Sequence, residues 1–176
     1  MQKIFIHIFT IFACSLYSQN QTCGLISHNG TATEGYSLIY PINQATAYLI
    51  NNCGEVVQKW PDSSQYMAGP VATFTPDGKL LKTKRNRDAS QDKIFAPGAG
   101  GIIELRNWAN EIEWSYTLNN SLSRFHHDIE IMPNGNYLLL VWDLKSKAES
   151  IKAGRDTMFL PEGRIFSERI IEINPS

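Results

Sequence analysis

The sequence predicts an all-β protein whose strands are grouped in four-stranded units, the organisation of a β-propeller. Three observations predict it. Helical periodicity is weak along the chain, and short runs rich in Val, Ile, Tyr, Phe and Trp alternate with turn signals. Two kinds of hairpin each occur twice. Both kinds recur at the same distance: Asp77 and Asn134 lie 57 positions apart, and so do Cys53 and Asn110. Two hairpins per period give four strands, the content of one propeller blade, slightly long against the usual period of roughly 40 to 50 residues.

The first element in chain order lies outside this scheme. Met1-Gln2-Lys3 supplies a positive charge, residues 4–17 are almost continuously apolar, and Ser18 offers a small residue at the exit. This is the pattern of a secretory signal peptide, with cleavage expected after Ser18 and export to the periplasm or the exterior. Cys14 behind Ala13 offers a second reading as a lipoprotein cysteine, although Ile11 and Phe12 fit it poorly. Residues 19–46 then form an N-terminal strand and loop segment. Removal of residues 1–18 leaves Cys23 and Cys53, a candidate disulfide in an oxidising compartment. No cysteine or histidine spacing suggests zinc.

The propeller part is expected over 47–176. Residues 47–60 read as an outer hairpin with a turn at Asn51-Asn52-Cys53-Gly54, and Gly101–Trp114 repeats its pattern. Residues 71–116 read as a complete blade. Its first hairpin turns at Pro76-Asp77-Gly78, where proline fixes the entry and glycine supplies a positive φ. Residues 127–174 read as three strands of the next blade, with a turn at Pro133-Asn134-Gly135 and a last strand through Ile170-Ile171-Glu172. An insertion over 143–163 separates its second and third strands. Ser146 and Glu149 form a capping box for a short helix reaching Ala153, which Gly154 ends. Fewer than about four blades do not close a propeller. The chain is therefore expected to be a fragment or part of an assembly, with open strand edges that promote self-association.

Charge narrows the function. Sixteen Lys and Arg balance 17 Asp and Glu, a net charge of −1, so no broad basic footprint for nucleic acid exists. Lys82–Arg87 is a local basic run, read as a solvated strand end. Residues 96–101 are glycine-rich, but a strand follows them rather than a helix, which excludes a phosphate loop and leaves a flexible rim loop. The four tryptophans fall near strand ends and read as packing between strands. No nucleophilic serine element is present.

The chemistry concentrates at Arg124-Phe-His-His-Asp-Ile-Glu130. His126 and His127 open an innermost strand, where a propeller gathers polar groups around its axis. A neutral imidazole serves as base or nucleophile; the alternative is a pair of structural histidines bonded within a loop. Strand alternation places His126 with Asp128 and Glu130 on one face and His127 on the other. Neighbouring histidines on opposite faces do not chelate one metal ion, so no metal is expected. Arg124 beside the pair and Arg155 at the end of the insertion are candidate anion donors, since a guanidinium matches sulfate or phosphate.

These residues resemble a known family, the bacterial arylsulfotransferases. The resemblance rests on Tyr48–Trp60, on Gly100-Gly-Ile-Ile-Glu104, on Gly154-Arg-Asp156, on Ile170-Ile-Glu172, and above all on His126-His-Asp-Ile-Glu-Ile-Met-Pro-Asn-Gly-Asn136. It runs from about Gly24 to Ser176. It implies a six-bladed propeller that moves a sulfuryl group from an aryl sulfate ester to a phenol without any cofactor. It implies that a channel histidine is transiently sulfated while other histidines and an arginine hold the sulfate. His126 and His127 are the positions that carry over, and further channel histidines would lie beyond Ser176.

Overall fold

The structure is a computed structural model; it describes residues 25–176 except 28, 89, 91–93, 95 and 161. The expected signal peptide, Cys14 and Cys23 lie outside the described residues. Among the described residues ten strands form three antiparallel sheets. The first sheet joins β1 (Tyr36–Ile39), β2 (Ala47–Asn51) and β3 (Val56–Trp60) in that order. The second is a four-stranded meander of β4 (Tyr66–Phe74), β5 (Leu80–Asn86), β6 (Ile102–Arg106) and β7 (Ile112–Thr117). The third joins β8 (Ser123–Ile131), β9 (Tyr137–Ser146) and β10 (Arg164–Ile173). The chain is thus predominantly β, as its turn-punctuated pattern dictates, and within each sheet every strand pairs with its neighbour in sequence. Among the described residues no helix is long and apolar enough to cross a membrane.

The turns follow from their residues. Gly54, Gly78 and Gly135 have φ of 78°, 81° and 83°, a conformation that L-residues avoid. They close the hairpins β2–β3, β4–β5 and β8–β9 respectively. Asp143–Ser146, assigned to the insertion by sequence, remains in β9 and pairs with β10 through Ser146 and Arg164. Helix α1 (Lys147–Lys152) then starts at Ser146, whose side chain and that of Glu149 make the reciprocal capping box.

The sheets pack in chain order. Ala47, Leu49 and Trp60 of the first sheet meet Leu80 of the second. Leu81 and Ile103 of the second sheet meet Phe125, Ile129, Tyr137, Leu139 and Val141 of the third. Lys82–Arg87 departs from the sequence reading: Lys82 is fully buried and Lys84 nearly so. Three oppositely charged contacts explain it. Lys82 Nζ lies 2.8 Å from Asp62, and Lys84 Nζ lies 3.1 Å from Asp62 and 2.6 Å from Glu104. Arg106 completes the cluster at 3.1 Å from Asp62 and 2.7 Å from Glu104. A basic strand is buried here because its neighbours supply carboxylates.

Candidate functional site

The site begins as an irregularity in β8. Phe125 is opposite Val141 and Ile129 is opposite Leu139, so His126, His127 and Asp128 together face one residue of β9. His127 takes a left-handed backbone conformation at φ 53°. Such a bulge breaks the two-residue alternation of a strand. The two imidazoles therefore do not point to opposite faces, as strict alternation demands, but meet. Their Nδ1 atoms lie 2.8 Å apart and their ring centroids 5.1 Å apart, nearly perpendicular.

Three neighbours hold the pair. Trp142 of β9 stacks on the His126 ring at 4.1 Å and 11° and meets His127 edge-on at 6.0 Å. Trp142 is thus a partner of the histidines rather than packing at a strand end. Glu168 of β10 is the cross-strand partner of Trp142 and brings its carboxylate to 2.8 Å from His126 Nε2. That contact has ion-pair distance, but its angle gives Nε2 no directed hydrogen bond. The third neighbour is the loop at 96–101. Gly98 O accepts from His127 N–H at 2.9 Å, and Gly100 N–H donates to Phe125 O at 3.1 Å. A Cβ on Gly98 would run into the His127 ring. The glycine-rich segment is therefore a strap packed along the edge of β8, not a flexible rim.

Electrostatics divides the two histidines. His126 is 2% exposed, whereas His127 lies at the surface. Burial pushes His126 below the ordinary imidazole range; the Glu168 carboxylate opposes the shift and His127 adds to it. A neutral His126 offers one N–H and one lone pair. If Nε2 carries the proton beside Glu168, Nδ1 accepts from His127 Nδ1–H, and His127 Nε2 is left with its lone pair.

The arginines expected as anion donors stand elsewhere. Arg124 is fully buried, and its guanidinium donates to Gly100 O at 3.1 and 2.7 Å and to Ile94 O. It fixes the strap from inside. Arg155 is exposed past α1, with its guanidinium 5.6 Å above the Phe159 ring. Among the described residues, no hydrogen bond or ion pair joins it to either histidine. Sequence reasoning missed Glu168, Trp142 and the bulge. One signal for the bulge was present: the 57-residue period aligns His126-His127 with Gly69-Pro70. There β4 has the same irregularity, between Ala68 and Ala72, and Gly-Pro inside a strand marks such a site. Among the described residues, no group of three side chains is placed to hold a metal ion. Compared with protein-family models, curated proteins and solved structures, the chain has no match.

Proposed function

We propose that this chain is an exported protein of the arylsulfotransferase type, in which His127 accepts a sulfuryl group from an aryl sulfate ester and passes it to a phenol. The observation that carries the reading is the chain Glu168, His126, His127, with contacts of 2.8 Å at both joints. On this reading His127 attacks through Nε2, the ring atom that lies against Gly98 of the strap, so the strap bounds the side from which the ester approaches. In the first half-reaction the Nε2 lone pair attacks sulfur and the bond from sulfur to the aryl oxygen breaks. The proton on His127 Nδ1 shifts to His126, whose cation lies beside Glu168, and then passes to the departing phenolate. In the second half, the acceptor phenol gives its proton to His126 as its oxygen attacks sulfur, the N–S bond breaks with its electron pair returning to His127 Nε2, and the proton moves from His126 back to His127 Nδ1, restoring the starting state. Splitting the transfer this way is nucleophilic catalysis. Arg124 positions the strap, and Arg155, held over the Phe159 ring, takes no part in this scheme.

The finer fold belongs to the same proposal: the sheets are successive propeller blades. Their support is the 57-residue period, the meander order, and the shared bulge in β4 and β8. A second reading, a binding module without turnover, is favoured by the commitment of Arg124 to backbone carbonyls. One experiment separates them. The protein is mixed with a nitrophenyl sulfate, quenched, and analysed by peptide mass spectrometry; release of nitrophenol in the presence of phenol is followed in parallel. We expect one SO3 group on His127, lost together with turnover in His127→Ala. His126→Ala should slow transfer about 10²–10⁴-fold. Calorimetric binding of the ester with no adduct and no turnover would establish the binding module instead.

A further inference from the structure

We infer that Asn134 is a site of spontaneous covalent modification, in which the Gly135 nitrogen displaces the side-chain amide as ammonia, water opens the resulting imide to aspartate or isoaspartate, and the turn between β8 and β9 is released from β10. The reagents are the chain's own peptide group and water, so neither the proposed activity nor a partner is needed. Asn134 and Gly135 are exposed, and glycine has no Cβ to screen the attacking nitrogen. The carbonyl under attack is polarised. Asn136 N–H donates to Asn134 Oδ1 at 3.0 Å, a donor aimed at the oxygen on which negative charge develops. One bond restrains the attack: Gly135 N–H donates to Met132 O at 2.9 Å. The turn therefore opens before the ring closes, and opening at an exposed hairpin end is a local event far short of unfolding. In closure the Gly135 nitrogen gives up its proton and bonds to Asn134 Cγ. The bond from Cγ to Nδ2 breaks, and Nδ2 departs as ammonia with that proton. Water then adds at either carbonyl of the imide.

The internal repeat shows what the product lacks. Asn134 corresponds to Asp77, 57 positions earlier, and Asn136 to Lys79. In the earlier turn the Asp77 carboxylate lies 3.1 Å from Lys79 Nζ, which also lies 2.9 Å from Glu113, so one ammonium serves two carboxylates. The later turn is built for a neutral residue. Asn134 Nδ2 and Asn136 Nδ2 both donate to Glu172 Oε1 of β10, at 3.3 and 2.5 Å, and these bonds hold the Glu172 carboxyl below its ordinary range. Deamidation takes one donor from Glu172 and sets a second carboxylate beside it, and Met132–Asn136 holds no cation. Isoaspartate adds a further fault. It routes the backbone through Cβ and so lengthens a turn that Met132 N–H closes by donating to Asn136 O at 2.8 Å. Tyr137 follows directly, buried with its ring 5.5 Å from that of Trp114, so the fault reaches the core between the second and third sheets.

Ageing the full chain at mildly alkaline pH, followed by peptide mass spectrometry, tests it. The peptide holding Asn134 should gain the mass difference between NH and O, as a mixture of aspartate and isoaspartate forms, with release of ammonia. Gly135→Asn puts a side chain beside the nitrogen while tolerating the φ of 83°, and should slow the conversion about tenfold or more. Asn134→Asp should move the Glu172 titration upward by NMR, because a neighbouring like charge disfavours the ionised form. Adding Asn136→Lys, which reproduces the arrangement of Asp77 and Lys79, should bring it back down. A chain that keeps Asn134 intact, whether or not Asn29 of the other Asn-Gly pair is converted, overturns the inference: the bond from Gly135 to Met132 then holds the turn shut. Conversion that leaves the Glu172 titration unmoved overturns the release of the turn from β10.

Discussion

At the scale of the residue, His127 shows how backbone strain and chemistry are joined. A left-handed conformation costs an L-residue roughly 1–2 kcal/mol, and here the Gly98 carbonyl and the Trp142 and His126 rings hold it in place. Gly98 has φ 81° and stands where a Cβ would meet the His127 ring. Gly98→Ala is expected to cost about 1–2 kcal/mol from its own backbone and to displace the imidazole. Urea unfolding and the His127 ring resonances check both effects; an unmoved ring would remove Gly98 from the site. His126 carries a pH dependence. Burial holds its folded pKa below the unfolded value of about 6.5. The neutral form contributes its full stability above that value, and the contribution is lost as pH falls through the folded value. Trp142→Leu uncovers the ring, so its titration by NMR should move up toward the unfolded value. A titration that stays where it was would mean that Trp142 does not desolvate the pair.

At the scale of the element, strap and strand fit each other by size. A Cβ on Gly100 would lie 2.5 Å from the Phe125 ring, and Phe125 is fully buried in the core between the second and third sheets. Gly100→Ala should therefore destabilise the protein by about 1–3 kcal/mol, the usual cost of overpacking. Phe125→Leu should cost about 1–3 kcal/mol alone, yet the two together should cost less than their sum. Denaturant melts of the four proteins give the coupling, and strict additivity would deny the contact. The same elements show what a sequence discloses. The Pro-Asp-Gly and Pro-Asn-Gly turns were legible because their residues admit few alternatives, and the Ser146–Glu149 box was legible because its bonds are local. The bulge was not, because alternation is a rule for regular strands, and His126–Asp128 interrupts it through contacts with a strap 27 or more positions away. Glu168 was hidden for the same reason: only the β9–β10 register carries it to Trp142 and so to His126. Lys82 and Lys84 read as solvent-exposed because their counter-ions, Asp62 and Glu104, sit on other elements.

At the scale of the molecule, that charge cluster is what distinguishes the junction of the first two sheets from the apolar core of the last two. Asp62 follows β3 and receives Lys82 and Lys84 of β5 and Arg106 of β6. Lys82 also donates to Ala45 O at 2.7 Å, and Arg106 to Pro61 O and to Asn110 Oδ1. Around it, Trp60 Nε1 donates to Asn107 O at 3.0 Å and Gln58 to Trp108 O at 2.7 Å, so the loops of the second sheet are fastened to the first. Asp62 is the hub, and its removal leaves three buried cations against Glu104 alone. Asp62→Asn should therefore cost about 3–5 kcal/mol, the range for an uncompensated buried charge. Its pH signature follows from its protonation. Burial by itself raises the Asp62 pKa, but the hydrogen bond and charge of Lys82, with the charge of Lys84, prevail and hold the carboxyl below the usual range. The stabilisation is then complete above the unfolded value of about 3.9 and is lost as pH falls through the lower folded value. Urea melts of wild type and Asp62→Asn should differ most near neutrality and converge in strong acid. Adding Lys82→Met to Asp62→Asn should recover part of the loss, because it removes one of the stranded charges. A neutral-pH difference below 1 kcal/mol, or one that persists undiminished in acid, would mean that the two sheets are joined by their apolar contacts and hydrogen bonds rather than by this cluster.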